Sequence, residues 1–118
     1  MGENYILAAN TVIVINRNGM GDAPQDLAHT LVTTYLGLLD GEWLPAAICL
    51  YASGVKLATS GSPALDALKA LSDKGVLILL CTTCLKYFDL LDDVQVGVVG
   101  GMNDIIDMQH NAQKVITL

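Results

Sequence analysis

Hydrophobic residues follow two different periods along this chain, and the two alternate from residue 11 onward. The run Thr11–Asn16 is dominated by β-branched residues without alternation, which is typical of a strand buried on both faces of a sheet. The next stretch places apolar residues at helical spacing as far as Leu39. Asp22 and Gln25 have the spacing of a capping box, so they predict the start of this helix.

The same alternation continues to the end of the sequence and predicts the order β-α-β-α-β-α-β-α-β. The predicted strands are 11–16, 46–52, 76–80, 94–99 and 114–118. The predicted helices are 22–39, 64–74, a short helix that follows the third strand and ends near 91, and 102–112. Helices that connect buried strands predict an α/β protein with three layers, α/β/α, around a mainly parallel five-stranded sheet of flavodoxin-like general architecture.

Length, composition and charge narrow the picture further. The 118 residues suffice for one domain, which we assign to 11–118, and residues 1–10 are predicted to be an N-terminal tail or an edge segment. The hydrophobic content of 53% excludes a disordered chain, and the excess favours association into a homo-oligomer. The net charge of −6 argues against nucleic acid or a membrane surface as a partner. Since no stretch is long enough to span a bilayer and no signal peptide is recognisable, we expect a cytoplasmic protein.

Four loops follow the predicted strands and meet at the carboxyl edge of the sheet, where parallel sheets gather their ligands. The loops lack a dinucleotide fingerprint, a P-loop, the aspartates of a receiver domain and a nucleophile elbow. No cofactor is therefore expected. The candidate substrate-binding or loop-binding residues are Met20, Gly21, Gly54, Val55, Lys56, Thr82, Thr83, Gly101 and Met102.

The pair Cys81 and Cys84 is the most specific chemical feature, because it stands where a buried strand ends and a helix begins. Free N–H groups at a helix start stabilise a thiolate, so we expect a lowered cysteine pKa and a catalytic role for this pair.

Cys49 is interpreted as a core residue. Lys56 is expected to bring a cation near the thiolate. A zinc site is not expected, because it needs four ligands and the two histidines stand alone.

Four segments together resemble the DsrE-like family, and in particular the C-terminal DsrE-type domain of sulfurtransferase-like selenium metabolism proteins of the YedF type. They are Tyr51–Leu57, Gly61–Pro63, Cys81–Leu85 and Val96–Val99 with Met102. The resemblance covers nearly the whole chain from Thr11. It implies a three-layer α/β/α domain, homo-oligomers, and relay of sulfur as a cysteine persulfide with the cysteine loop as the reactive site.

The chain departs from the family pattern at three positions. Thr82 replaces a Gly between the cysteines, Ala52 replaces an Asn before Ser-Gly-Val, and Gly101 replaces an Asn before Met. Since only a short segment precedes the first predicted strand, we expect no fused TusA-like sulfur-carrier domain and expect a TusA-like carrier as a separate partner. The expected partners are sulfur-donor and sulfur-acceptor proteins.

Three functions are compatible with these residues. The first is a persulfide carrier for sulfur or selenium, with Cys84 as the carrying thiol and Cys81 supporting, resolving or replacing it. The second is a non-enzymatic oligomeric binding or scaffold protein that keeps the fold without the chemistry. The third is a redox switch formed by the two thiols.

Overall fold

The computed structural model describes residues 10–118 and contains one five-stranded sheet in which every strand is parallel to its neighbours. The strand order is β4-β3-β2-β1-β5. The predicted α/β class with a five-stranded sheet is confirmed. The strands are β1 (Thr11–Ile15), β2 (Ala47–Leu50), β3 (Leu77–Cys81), β4 (Val98–Gly100) and β5 (Lys114–Thr117). Of the predicted N-terminal tail, residues 1–9 lie outside the described part, and the Asn10 carbonyl accepts the Gln113 N–H at 3.1 Å.

Four α-helices within residues 10–118 connect the strands and cover both faces of the sheet. They are α1 (Gln25–Leu38), α2 (Leu65–Asp73), α3 (Thr82–Tyr87) and α4 (Met102–Asn111). Right-handed crossovers from β1 to β4 place α1, α2 and α3 on one face, and the return from β4 to β5 places α4 on the other. No helix in this part of the chain is both long and apolar enough to cross a bilayer.

The three interior strands, β1, β2 and β3, form the centre of the core. The side chains of Val12–Ile15 and of β2 are all buried, as their continuous apolar runs predict. Cys49, in the middle of β2, is fully buried, and burial raises the pKa of its thiol to about 11. Cys49 is therefore a protonated core residue at neutral pH, in agreement with its interpretation from the sequence.

The predicted capping box at the first helix is wrong. The N-cap of α1 is Pro24, without a side-chain hydrogen bond, and Asp22 lies outside the helix. The Gln25 amide instead donates to the Asn18 carbonyl in the preceding loop. The Gln25 side chain, which suggested a capping box in the sequence, thus links the loop after β1 to α1 by a hydrogen bond.

The fourth strand is shorter than the predicted range 94–99, and the third helix ends before 91. Gly97 has φ +90, which interrupts an extended strand at that point. Val94 lies beyond this interruption and forms an antiparallel bridge with Thr59. Asp89 adopts φ +58 just after α3, so the helix stops at Tyr87 and a short 3₁₀ turn follows at Leu91–Asp93.

The register of the sheet brings the carboxyl ends of four strands to one edge. Ile15 of β1 lies beside Leu50 of β2, and Leu50 lies beside Leu80 of β3. Cys81, the last residue of β3, lies beside Gly100 of β4. The segments that follow these strands therefore meet at the same end of the sheet, and this is where the candidate site lies.

Candidate active site

The two candidate cysteines occupy the junction between β3 and α3. Cys81 is the last residue of β3 and the N-cap of α3, with extended φ −70 and ψ 119. Its side chain is buried, with 1% of its surface exposed. Cys84 lies in the first turn of the helix and is half-buried. Both are free thiols, and Cys84 is the one that reaches the surface.

The thiol of Cys84 is held by a segment from a different strand. After β2 the chain forms a 3₁₀ helix at Ala52–Ala58 that packs against α3. The Ala52 N–H donates a hydrogen bond to Sγ of Cys84 at 3.0 Å. Ala52 has φ +52, a left-handed conformation that costs a residue with a Cβ roughly 1–2 kcal/mol. The residue with the strained backbone is therefore also the one whose N–H contacts the sulfur atom.

Gly54 allows the 3₁₀ helix to approach the sheet this closely. A Cβ atom on Gly54 would overlap the Ile15 carbonyl, with the carbonyl carbon only 2.9 Å away. The Gly54 N–H also donates to the Tyr51 carbonyl at 2.9 Å, which closes the turn around Ala52. Gly54 therefore acts in the described structure through the backbone position of its segment, and its predicted role in binding stays a prediction.

Thr82 ties the cysteine turn to the neighbouring strand. Its hydroxyl donates to the Gly100 carbonyl at 2.7 Å. Gly101, which follows that strand and is the N-cap of α4, donates its N–H to the Asp104 carboxylate at 2.9 Å. The start of α3, the end of β4 and the start of α4 are thus joined by hydrogen bonds.

The electrostatic state of Cys84 differs from the prediction. Burial raises the pKa of Cys84 above its ordinary value, the neighbouring Cys81 thiol raises it further, and only the Ala52 N–H lowers it. The predicted lowering by the helix start is wrong for this chain as described. The helix α3 has only six residues, and the N–H that reaches the sulfur belongs to Ala52. At neutral pH the resting group is therefore the thiol.

Lys56 packs against an aromatic side chain next to the cysteine helix, and its predicted approach to the thiolate stays a prediction. Its Nζ atom lies over the Phe88 ring, 4.3 Å from the ring centroid, in a cation–π contact. Phe88 follows α3 directly, and its N–H donates to the Cys84 carbonyl at 3.1 Å. The Lys56 ammonium is thus held against the ring of a residue that lies one helical turn after Cys84.

The remaining predicted loop residues divide into exposed and buried ones. Thr83 and Met102 are exposed, and Met102 begins α4 directly after the β4 end. Gly21 is exposed with φ +84. Met20 packs partly against the core, and its N–H donates to the Ala28 carbonyl at 3.1 Å. Val55 is fully buried, so its side chain contributes to the core and cannot contact a ligand.

A polar cavity of about 330 Å³ adjoins the site on the side of Lys56. His29 and Asn18 line it and hydrogen-bond to each other through Nε2 and Oδ1 at 3.2 Å. This grouping was not predicted, because its members come from the segments after three different strands. The other lining residues are Thr59, Ser60, Gly61, Ser62, Pro63, Phe88 and Leu90. Within residues 10–118, no group of three His, Cys, Asp or Glu side chains is arranged to hold a metal ion.

Comparison with known proteins identifies the fold. The model of the DsrE/DsrF-like family matches residues 10–118. A search among curated proteins finds no match.

Solved structures share the architecture over nearly their whole length. A protein of unknown function from Methanobacterium thermoautotrophicum is 19% identical with a TM-score of 0.62, and the match covers 92% of this chain and 97% of that chain. A conserved protein of unknown function from Bacteroides thetaiotaomicron is 16% identical with a TM-score of 0.68, covering 96% and 98%. The ychN protein from E. coli is 18% identical with a TM-score of 0.59, covering 92% and 99%. At these identities the similarity shows the fold.

The strain at Ala52 yields a stability prediction. Ala52→Gly should raise the free energy of unfolding by several tenths to about 1 kcal/mol, because glycine adopts φ +52 without the steric cost of a Cβ. The matched control is Ala70→Gly in the exposed face of α2, which should lower it by about 1 kcal/mol. Denaturant unfolding of the three proteins measures both changes. A destabilised Ala52→Gly variant would contradict the strained conformation.

The pKa of Cys84 yields a prediction of pH dependence. Since the folded thiol holds its proton above the ordinary cysteine pKa, its alkylation rate should keep rising with pH through that value without an earlier plateau. Peptide-resolved mass spectrometry of timed alkylation measures the rate. An unfolded sample of the same chain is the control, and it should titrate at lower pH. A plateau below that of the unfolded chain would contradict the described environment.

Proposed function

The chain belongs to the DsrE/DsrF-like family, and we propose that it carries sulfur as a persulfide on Cys84. One observation carries this proposal. A surface-reaching thiol at the open end of the sheet accepts a hydrogen bond from a backbone N–H that a strained loop holds in place, the Ala52 contact at 3.0 Å. A hydrogen bond from an N–H stabilises negative charge on the sulfur atom it reaches.

The transfer step is a thiol exchange that needs no cofactor. The Cys84 sulfur attacks the outer sulfur of a donor persulfide R–S–S⁻. A bond forms between Cys84 Sγ and that sulfur, and the donor's S–S bond breaks. The donor leaves as R–SH with the proton that Cys84 loses, and the protein keeps Cys84–S–S⁻. An acceptor thiolate then takes the outer sulfur in the same way, so no net oxidation occurs.

Protonation of Cys84 in the resting protein is compatible with a carrier that reacts with a bound donor and slowly with other electrophiles. Attack depends on the fraction of thiolate, so a raised pKa slows reaction with free electrophiles. A bound donor changes this, because its departing thiolate accepts the proton. The open rim formed by exposed Ala52 and Thr83 leaves room for a donor or acceptor protein, including a separate TusA-like carrier. The free cysteines fit a reducing compartment, and we place the reaction in the cytoplasm.

We extend the proposal to association of copies through the β4 edge. β4 pairs only with β3 within the described chain, and its Val98 and Val99 are 51% and 43% exposed. Met102 and Ile106 follow on α4, one turn apart and each 48% exposed. Apolar side chains concentrated on an unpaired edge favour a protein partner at that surface.

The second candidate function is a scaffold without chemistry. Two observations favour it: the raised pKa of Cys84, and the apolar β4 edge that would mediate binding by itself. The two functions differ in one measurable property, which is whether Cys84 gains sulfur from a donor.

Sulfur loading tests the carrier function. The reduced protein is treated with a low-molecular-weight persulfide, quenched early with an alkylating agent and digested with trypsin. Cys81 and Cys84 share the tryptic peptide 75–86, while Cys49 lies in another peptide. We expect one added sulfur atom on peptide 75–86, absent from Cys84→Ala and retained in Cys49→Ala. A wild-type protein that gains no sulfur would support the scaffold.

Sedimentation equilibrium tests association at the β4 edge. We expect the wild-type protein to form oligomers and Ile106→Asp to shift the population toward monomer, because a carboxylate cannot be buried there without a partner. Leu38→Asp, at a side chain that is 64% exposed on α1, is the matched control and should leave association unchanged. A monomeric wild-type protein, or equal effects of the two variants, would contradict this surface.

A further inference from the structure

The burial of the two cysteines is unequal, and this separates their roles. Cys84 is half-buried and reaches the surface, whereas Cys81 is 1% exposed. A donor protein can therefore deliver sulfur to Cys84 but cannot reach Cys81. Cys81 can react only with what Cys84 holds. This excludes Cys81 as a replacement for Cys84 in loading.

We infer that Cys81 is a resolving thiol that attacks the Cys84 persulfide from inside the fold and releases its outer sulfur as hydrosulfide. The inference rests on the proposed function and adds a second outcome to it. A loaded chain either passes its sulfur to an acceptor or discharges it as hydrosulfide.

The backbone places the two residues at a spacing that a disulfide can bridge. Cys81 is the N-cap and Cys84 the third residue of α3, so they stand three positions apart at a helix start. In a capping box the N-cap side chain reaches the third residue of the helix and that residue's side chain reaches back, so side chains at these two positions are neighbours. A disulfide requires Cβ atoms about 3.5–4.5 Å apart. The neighbouring Cys81 thiol also contributes to the raised pKa of Cys84. The Thr82 hydroxyl bond to Gly100 fixes the turn between them.

The direction of attack also follows from burial. Displacement at sulfur requires the incoming and leaving sulfur atoms on opposite sides of the atom attacked. Cys81 approaches Cys84 Sγ from the buried side. The outer sulfur occupies the solvent side, so it leaves toward water as hydrosulfide.

The step balances without an external oxidant. Cys81–SH and Cys84–S–S⁻ give the Cys81–Cys84 disulfide and HS⁻. The bond between Cys84 Sγ and the outer sulfur breaks, a bond between the two Sγ atoms forms, and the Cys81 proton leaves with the outer sulfur. The two thiols supply the two electrons that reduce that sulfur. A thiol reductant of the compartment then returns the pair to its free state.

Cys49 provides a matched control, because it is also a buried cysteine but cannot take this role. It pairs with Leu79 in the sheet register, two positions before Cys81 on the neighbouring strand. It thus lies deeper in the sheet than the cysteine turn. A variant at Cys49 removes a buried thiol without removing the resolving one.

In the test, the protein is loaded with a low-molecular-weight persulfide and the excess donor is removed. The released sulfur and the hydrogen content of the cysteine peptide are then measured. Hydrosulfide is trapped and quantified, and peptide 75–86 is weighed without reduction. For wild type and Cys49→Ala we expect transient loading, then one equivalent of hydrosulfide and a peptide lighter by two hydrogen atoms. For Cys81→Ala we expect the persulfide to persist and hydrosulfide release to slow by about tenfold or more.

Each outcome separates this inference from the carrier function. Persistent loading of the wild type without hydrosulfide or an internal disulfide overturns the resolving role and leaves the carrier function standing. Equal release of hydrosulfide from wild type and Cys81→Ala also overturns the resolving role. A disulfide-linked dimer on a non-reducing gel would overturn it too, because the attacking thiol would then belong to a second chain. Absence of loading in both proteins overturns the carrier function itself. Thermal unfolding confirms that Cys81→Ala is folded, and the wild-type peptide mass decides the question without any variant.

Discussion

A parallel sheet that is buried on both faces leaves only its two ends open to reactants, and this constraint organises the whole molecule. The side chains of β1 and β2 are enclosed on both sides, so chemistry along their length is excluded. Because all five strands run in one direction, the segments after β1, β2, β3 and β4 share one edge. A strand end from β3 and a loop from β2 can then meet around a single sulfur atom. The location of the site therefore follows from the topology of the sheet and not from any particular residue.

The hydrophobic pattern predicted most of this architecture, because strand and helix periods are local properties of the sequence. The continuous apolar run at β1 was sufficient to predict a strand that is buried on both faces of the sheet. The fourth strand was not predictable to its true length, because the backbone of Gly97 and the Val94 bridge to Thr59 override an apolar run. The position at which β4 begins is therefore determined by tertiary pairing and not by the local sequence.

The placement of the two cysteines was predictable from the sequence, and the electrostatics around them were not. The spacing of Cys81 and Cys84 and their place at a strand end could be read directly. The contact from Ala52 could not, since it joins positions 32 residues apart. The one available signal was the resemblance, in which an Asn precedes Ser-Gly-Val: Asn tolerates positive φ better than Ala does, and Ala52 has φ +52. Desolvation of Cys84 also depends on packing, so its raised pKa could not be inferred from a helix start alone.

The pairing of β1 with β5 has a consequence for the order in which the domain folds. Thr11 pairs with Lys114, so the strand formed earliest in synthesis obtains its second neighbour only when residues 114–117 have emerged. Contacts this distant in sequence close large loops and form slowly. During translation β1 would expose an unpaired edge of apolar residues, a state prone to aggregation. The need for this late partner leaves one edge of β1 open to unintended pairing with other chains until residues 114–117 take their place beside it.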